Sequence, residues 1–400
     1  MSKKKNIPEI RFKGFDDEWE EFTLANLAYF NPKSPLPDVF EYVDLESVVG
    51  TEMISHRQET VYTAPSRAQR LACYGDLFFQ TVRPYQQNNY LFNITDDNYV
   101  FSTGYAQMRP FGDGYFLLNL VQNDRFLKMV LDNCTGTSYP AINSKALAEL
   151  DVTVPNVIIE QSRIGSYFQH LDKLINLHQK KYDKLAALKK AMLEKMFPKD
   201  GSDVPEIRFK GFDGKWEERI LSDMAEYKNG KGHEDRQRTS GRYELINLNS
   251  ISIDGGLKHS GKFIDETNAT LQKNDLVMVL SDVGHGDLLG RVALIPENNR
   301  FVLNQRVALL RPNQSVDAIF LYYNINAHQF YFKAQGAGMS QLNISRSSVE
   351  NFISYIPALP QEQQKIGSYF QNLDKLIYLH QKELDKLKNI KKACLEKMFV

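Results

Sequence analysis

The amino-acid sequence predicts a mixed α/β fold in which two globular lobes are joined by two long antiparallel helices. Three observations predict this fold class. The chain has 400 residues, 42% of them hydrophobic, which is enough for more than one domain. An internal repeat divides it, and each copy ends in a long amphipathic segment. Short β-rich runs bounded by Gly, Asp, Asn or Pro fill the rest of each copy.

The repeat is clearest at its two ends. Residues 8–16 return unchanged as residues 205–213, and residues 164–197 return as 366–399 with 26 of 34 positions identical. Between these anchors the copies have diverged, and the matches that remain include Asp76 with Asp275, Arg109 with Arg311, and Gly136 with Gly338. The lobes therefore share a fold while their surfaces differ, as expected of one frame that holds two different ligands.

The lobes are predicted to be rich in strands. Runs such as 76–79, 276–280 and 291–295 are short, β-branched or aromatic, and flanked by turn residues. The predicted division is 1–156 for the first lobe, 157–198 for the first long helix, 199–358 for the second lobe and 359–400 for the second long helix.

Each long helix carries an apolar stripe at spacings of three and four residues, opposite a lysine-rich face. The expected packing residues are Phe168, Leu171, Ile175 and Leu185 in the first helix and Phe370, Leu373, Ile377 and Leu387 in the second; Leu174, Leu188 and Leu376 belong to the same stripes. A helix of roughly 55 Å has too few neighbours in its own lobe, so the two copies are expected to pair like a coiled coil. The linker at 198–204 is too short to run back along a helix, which makes the pair antiparallel and puts the lobes at opposite ends.

Charge, apolar runs and cysteine content indicate where the protein is found and which partners it lacks. The chain is neutral overall, but the net charge is −6 over 1–155, +5 over 156–199, −2 over 200–359 and +3 over 360–400. No apolar run is long enough for a membrane helix or a signal core, which predicts a cytoplasmic protein without a membrane partner. Three widely separated cysteines fit a reducing compartment and give no metal spacing.

Three segments of the sequence also match a known pattern. They are the Pro-Glu-Ile-Arg-Phe-Lys-Gly-Phe…Trp-Glu opening of both copies, the Leu-Pro-x-Glu-Gln-Gln-Lys-Ile run at 359–366, and the duplicated long helix. With them the chain resembles, over essentially its whole length, the specificity subunits of type I restriction-modification enzymes. The run is only partly kept in the first copy, at 157–163.

The resemblance implies two target recognition domains, each reading one half of a bipartite DNA site, held apart by spacer helices. It implies no catalysis by this chain and no cofactor or metal bound to it. The implied partners are double-stranded DNA, two modification subunits that use S-adenosylmethionine, and two motor-nuclease restriction subunits that use ATP and Mg.

DNA contacts are expected from polar loops of the lobes, where Arg and Gln can bind phosphates or read base edges. In the second lobe the candidates are Lys228, Lys231, His233, Arg236, Arg238 and Arg242, all within residues 228–242. In the first lobe they are Arg67, Gln69, Arg70, Arg83, Tyr85, Gln86 and Asn88. Turns add Thr137, Ser138, Tyr139, His285, Ser340 and Gln341. A solvated surface loop or a helix cap is the alternative for each of these residues.

The sequence gives only weak signals for a methyltransferase motif, a nucleotide-binding loop or a metal site. The run at 31–34, Asn-Pro-Lys-Ser, lacks the second proline and the aromatic ring of an amino-methyltransferase motif, and we interpret it as a loop. The glycine-rich run at 284–290 lacks nucleotide-binding spacing and is interpreted as a turn. His178 and His380 lie on the apolar stripes without carboxylate or Cys neighbours at ligand spacing, which favours core histidines over a metal site.

Two other classes of function stay open. A self-contained DNA methyltransferase would transfer methyl groups without a partner. A coiled-coil adaptor would bind proteins with its lobes and would show no DNA binding even beside modification subunits.

Overall fold

The computed structural model describes residues 6–136, 138–199, 201–283, 285–338 and 341–400. The chain forms two compact units. The first contains the described residues up to Lys180 together with Gln381–Val400, and the second contains Lys181–His380. Both units mix strands and helices, and two helices of 38 residues run through the chain, so the predicted fold class is confirmed.

The first unit contains twelve named strands among the described residues. They are β1 (Glu20–Thr23), β2 (Ala28–Phe30), β3 (Val39–Val43), β4 (Val48–Val49), β5 (Glu52–Met53), β6 (Arg57–Thr60), β7 (Ala68–Leu71), β8 (Leu77–Gln80), β9 (Tyr90–Leu91), β10 (Tyr99–Ser102), β11 (Tyr105–Pro110) and β12 (Asp151–Val154). Its helices are α1 (Gly114–Gln122), α2 (Asp124–Asp132), α3 (Ser144–Ala148) and the first part of α4 (Ile158–Lys195), together with the end of the second long helix from Gln381 onward.

The elements of the second unit follow a similar order. Its strands are β13 (Glu217–Ile220), β14 (Ala225–Asn229), β15 (Tyr243–Ile246), β16 (Phe263–Ile264), β17 (Leu276–Val279), β18 (Ser281–Val283), β19 (Val292–Leu294), β20 (Phe301–Leu303), β21 (Val307–Pro312), β22 (Gln341–Asn343) and β23 (Ile353–Ile356). Its helices are α5 (Leu221–Met224), α6 (Ala318–Ala327), α7 (Gln329–Ala334), α8 (Arg346–Glu350) and the first part of α9 (Pro360–Lys397).

The sheets repeat between the units. The order β2-β11-β8-β9 in the first unit corresponds to β14-β21-β17-β19 in the second, and β1-β12 corresponds to β13-β23. The parallel pair β3-β10 likewise corresponds to β15-β20. The divergent sequences of the two copies therefore form the same frame.

A buried ion pair ties the repeated opening segment to the start of each long helix. In the first unit Arg11 donates two hydrogen bonds to the carboxylate of Glu160, at 2.7 and 2.8 Å, and Glu160 is 1% exposed. Arg208 makes the same two bonds to Glu362, at 2.6 and 2.8 Å. These bonds raise the pKa of both guanidinium groups.

Each unit has a cluster of aromatic side chains in its core. One phenylalanine of each cluster comes from the end of the long helix that begins in the other unit. In the first unit the ring of Phe399 packs against Trp19, Phe116 and Phe168, with centroids 5.7–6.4 Å apart. In the second unit Phe197 occupies the same place against Trp216, Phe320 and Phe370, also at 5.7–6.4 Å. Both residues follow the C-terminal end of a long helix, and both are buried.

The long helices run antiparallel where they pair within each unit. In the first unit Lys391 forms an ion pair with Asp172 (2.6 Å), and Cys394 Sγ lies 3.6 Å from the hydroxyl of Tyr167. In the second unit Lys189 pairs with Asp374 at 2.5 Å. Residue numbers rise along one helix as they fall along the other, as predicted.

The predicted packing stripe is only partly correct. Phe168, Leu171, Phe370, Leu373 and Leu387 are buried, and Ile175, Leu185 and Ile377 are half-buried. Leu174, Leu188 and Leu376, however, are exposed by 43, 37 and 44%. A single partner helix covers a narrow seam, so apolar residues at the flank of a stripe stay open.

In the first unit, α4 passes very close to the start of α1 at a helical glycine. A Cβ added at Gly165 of α4 would lie 2.0 Å from Oδ1 of Asp113, which caps α1, whereas a Cβ at Gly367 of α9 would meet nothing nearer than 3.0 Å. We expect Gly165→Ala to lower the free energy of unfolding by about 1–3 kcal/mol, because overpacking outweighs the helix propensity of Ala. Gly367→Ala should cost less. Thermal unfolding of both variants checks this, and a Gly165→Ala protein as stable as the parent would contradict it.

Candidate nucleic-acid interface

Four of the predicted DNA-contact residues line one cleft in the first lobe. The cleft has a volume of about 380 Å³, and Arg67, Arg83, Gln86 and Asn88 contribute to its wall. Its remaining lining residues are Leu45, Glu46, Val48, Val49, Gln80 and Val82. We call this group of residues the first-lobe cleft. It brings two guanidinium groups, three amides and one carboxylate together, a set that can donate to and accept from base edges and phosphates.

The segment from Arg83 to Asn88 is held in an unusual backbone conformation. Arg83 and Gln87 have φ angles of 54° and 52°, in the left-handed region, on either side of a 3₁₀ turn at Pro84–Gln86. The amide of Arg83 donates to the carbonyl of Pro140, and its guanidinium lies 4.6 Å from the ring centre of Tyr139. Non-glycine residues persist in this region when the surrounding structure imposes it, and such sites are often functional. The predicted residue Tyr139 therefore lies next to the cleft.

A buried glutamine supports the floor of the cleft. Gln80 ends strand β8 and is 1% exposed. Its Nε2 donates to the carbonyl oxygen of Val82 and to Oε1 of Gln86, both at 2.7 Å. Asn88 is also fixed, since its Oδ1 accepts from the amide of Gly50 at 2.8 Å.

The other first-lobe candidates lie outside the cleft lining. Gln69 Nε2 donates to the carbonyl of Ser66, and Tyr85 is half exposed. Arg70 is half-buried, and desolvation lowers its pKa. Ser138 precedes Tyr139 in the same turn. Thr137 lies outside the described residues.

The basic segment of the second lobe begins in the last residues of β14 and continues as an exposed loop. Lys228, which was predicted to lie in a loop, is a strand residue that pairs with Leu309 of β21. Lys228, Lys231, Arg236, Arg238 and Arg242 are exposed, and His233 is half-buried. Two of the arginines pair with acids, Arg238 with Asp265 at 2.7 Å and Arg236 with Asp235 at 3.6 Å. Exposed ion pairs of this kind contribute about 0–1 kcal/mol, so a DNA phosphate can replace either carboxylate.

The remaining second-lobe candidates flank the antiparallel two-stranded sheet of β18 and β22. His285 is exposed just after β18, and Gln341 pairs with Val283 across this sheet. The adjacent turn is held by an ion pair of 2.6 Å from Lys333 to Asp287, which lowers the pKa of Asp287. Ser340 lies outside the described residues, as does Gly284 of the glycine-rich run.

The described residues contain no group of three or more His, Cys, Asp or Glu that could hold a metal ion. Asn31, which opens the Asn-Pro-Lys-Ser run, has a φ of 50° and exchanges hydrogen bonds with the backbone of Gln107. Its side chain thus extends the pairing of β2 with β11 by one residue. In the described part of the chain no helix is long and apolar enough to cross a membrane.

Sequence reasoning missed Glu46 and Gln80 as members of the first-lobe cleft. The strand register offers one signal that could have found Gln80. Gln80 pairs with Tyr105 in the β8–β11 ladder, and Val279 occupies the same place in the β17–β21 ladder. An amide in one repeat where the other has a buried valine marks a position whose chemistry is particular to one lobe.

Comparison with known proteins agrees with this arrangement of a shared frame and two unlike polar surfaces. The profile of the type I restriction modification DNA specificity domain matches residues 72–187 and 213–389, more than half of the chain. A curated relative, the type I restriction enzyme MjaVIII specificity subunit of Methanocaldococcus jannaschii, is 22% identical over 302 residues, covering 71% of this chain and 68% of the relative.

Solved structures show the same fold. The type I restriction-modification S subunit from M. genitalium superimposes with a TM-score of 0.67 at 16% identity, covering 98% of this chain and 99% of that one. A chain from a structure on complex assembly and conformational transition of the type I R-M system gives 0.50 at 20% identity, covering 95% and 97%. With this family match, the class is that of a DNA specificity protein built from two similar α/β units. The chain belongs to the DNA specificity subunit family of type I restriction-modification systems.

The exposed arginines of the second-lobe loop give a direct test of DNA contact. We expect Arg236→Ala with Arg238→Ala to leave the free energy of unfolding within about 0.5 kcal/mol of the parent, because both ion pairs are exposed. DNA affinity of the assembled complex should fall, and the slope of log affinity against log salt should drop by about 1 for each phosphate that the variant no longer binds.

Lys273→Ala with Arg300→Ala is the matched control, since it removes the same charge from exposed positions of the same unit outside the loop. Binding titrations over a salt series provide the measurement. Equal behaviour of the two double variants would make the loop ordinary solvated surface.

Proposed function

We propose that each lobe of this specificity subunit reads one half of a bipartite DNA target, and that the long helices set the distance between the half-sites. The observation that carries this proposal is the contrast between the frame and its surfaces. The ion pairs Arg11–Glu160 and Arg208–Glu362 are repeated, while the first-lobe cleft and the loop at 228–242 are unlike. A duplicated frame with unlike polar surfaces suits two different half-sites. The recognition domains would be 1–156 and 199–358, and the spacer helices 157–198 and 359–400.

The long helices also offer surface for other subunits. Leu174 and Leu177 of α4 in the first unit are exposed, as are Leu376 and Leu379 of α9 in the second. Exposed leucines grouped on a helix favour protein binding. Because this surface occurs twice, we propose that two modification subunits dock on the helices, with S-adenosylmethionine bound by them. Two restriction subunits using ATP and Mg would complete the complex, which we place in the cytoplasm.

Exchange of one lobe tests whether each lobe reads its own half-site. Replacing residues 24–155 with the corresponding lobe of another specificity subunit should change one half of the methylated site and leave the other half intact. The retained opening segment and helices keep the Arg11–Glu160 pair. Sequencing of methylated adenines in cells carrying the chimera and the modification subunits gives the measurement. A change in both halves at once would contradict the proposal.

An insertion in the helices tests whether they set the distance between the half-sites. Four residues inserted after Lys184 add about 6 Å to α4 and more than a full turn of rotation. This shifts α4 against its partner helix, so we expect modification of the native target to be lost. A second variant carries four further residues after Leu379, which faces Lys184 if the Lys189–Asp374 pairing is continued along both helices.

The double insertion restores the helix register while it lengthens both helices. It should recover methylation at the same half-sites with a longer unread spacer, as methylome sequencing would reveal. An unchanged site with an unchanged spacer in either variant would show that the helices do not set the distance.

A further inference from the structure

The first-lobe cleft presents one amide in a single, fixed orientation. Nε2 of Gln80 has two hydrogens, one directed to the carbonyl oxygen of Val82 and the other to the side chain of Gln86. A carbonyl oxygen only accepts, so the nitrogen of Gln80 must face it. The Gln86 atom beside that nitrogen must then be its oxygen. The Nε2 of Gln86 is left on the other side of the amide group, and within the described residues no partner is assigned to it.

The buried amide of Gln80 destabilises the fold, which argues against a purely structural role for Gln80. Gln80 is buried, and its own Oε1 has no hydrogen-bond partner among the described atoms. A buried acceptor without a partner destabilises a protein. At the matching place in the second unit, strand β17 has the apolar Val279, so the frame itself does not require an amide there.

The neighbouring backbone adds a second, independent sign of function. The turn that carries Gln86 lies between two non-glycine residues in the left-handed region, Arg83 and Gln87. Gln87 is anchored from behind, because its Nε2 donates to the carbonyl of Gln122 at 3.1 Å. The turn is thus held in a strained conformation that places Gln86 at the wall of the cleft.

We infer that Gln86 reads the adenine of an A·T base pair in the half-site bound by the first lobe, and that Gln80 is the positioning residue that fixes the Gln86 amide. The inference rests on the proposed function. Adenine presents N7 as an acceptor and N6 as a donor in the major groove, and a glutamine amide matches both. Gln86 supplies its Nε2 to N7 and the second lone pair of its Oε1 to N6. Arg67 and Arg83 at the same cleft supply positive charge toward the DNA.

The experiment uses the full chain assembled with its modification subunits, and compares Gln86→Ala, Gln80→Val and the control Gln58→Ala. Gln58 is an exposed glutamine of the same lobe, in β6, that does not line the cleft and is not a predicted DNA contact. Methylome sequencing reports the recognised bases, and binding to duplexes altered at one position reports discrimination. Thermal unfolding is measured on each variant.

Gln86→Ala should relax one A·T position of the first half-site by about tenfold to a hundredfold, with the second half-site and the spacer unchanged. Gln80→Val should relax the same position to a smaller extent, while its unfolding temperature stays equal or rises. A role confined to folding would lower stability without relaxing one base. Gln58→Ala should keep both the motif and the discrimination of the parent.

The result that overturns the inference is a Gln86→Ala complex with the full parental motif, or one relaxed at a G·C pair or in the second half-site. Those results require a parent complex that methylates a bipartite site. If the parent complex recognised no bipartite site, the proposed function would fail, and this inference with it.

Discussion

The enclosed carboxylate at the start of each long helix is the constraint on which both units depend. Glu160 and Glu362 are each about 1% exposed, and a charge so enclosed is tolerated only when it is paired and fully hydrogen-bonded. The guanidinium that meets this need comes from a residue 149 positions away in one unit and 154 in the other. The opening segment that carries it also brings the tryptophan of each aromatic core. The requirement explains why the arginine of the opening and the glutamate of the helix start, remote in sequence, are kept in both copies although the run around the glutamate is only partly kept.

A second pair of buried carboxylates shows how the lobes diverge on this frame. Asp76 and Asp275 are buried, and among the hydrogen bonds that each accepts are two from an arginine, Arg109 or Arg311, at 2.7–2.9 Å. Both follow a residue with positive φ, Gly75 or Asn274. The adjoining strands then differ in polarity, since Gln107 in β11 corresponds to Leu309 in β21. Divergence thus extends from the loops into the strands beneath them, while the charge pairs that hold the strands are kept.

The frame could be predicted from the sequence because its evidence is internal to the chain. Two nearly identical segments predicted two equivalent helices, their long apolar stripes predicted that they pair, and the short linker predicted that the pair is antiparallel. The stripe was predicted too wide, because periodicity does not distinguish a seam residue such as Leu171 from a flanking one such as Leu174. Only the partner helix decides which of them is covered.

The first-lobe cleft could be predicted in part. Arg83, Gln86 and Asn88 are close in sequence, so their polar side chains were found as a group. Gln80 and Glu46 reach the same cleft from a buried strand and from a loop before β4, which only the tertiary structure brings together. Gln69 is close to Arg67 in sequence but does not line the cleft, and its amide donates to the carbonyl of Ser66 instead.

The aromatic core of the first unit also bears on the order of events during translation. Lobe residues such as Trp19 and Phe116 leave the ribosome before the second lobe is made, but Phe399, which packs between them and Phe168, is synthesised after the whole second lobe. The aromatic core of the nascent first lobe therefore stays incomplete until the second lobe has been synthesised. The second unit has no such delay, because Phe197 precedes the lobe it completes. The second lobe, although it is synthesised later, can therefore complete its aromatic core before the first lobe does.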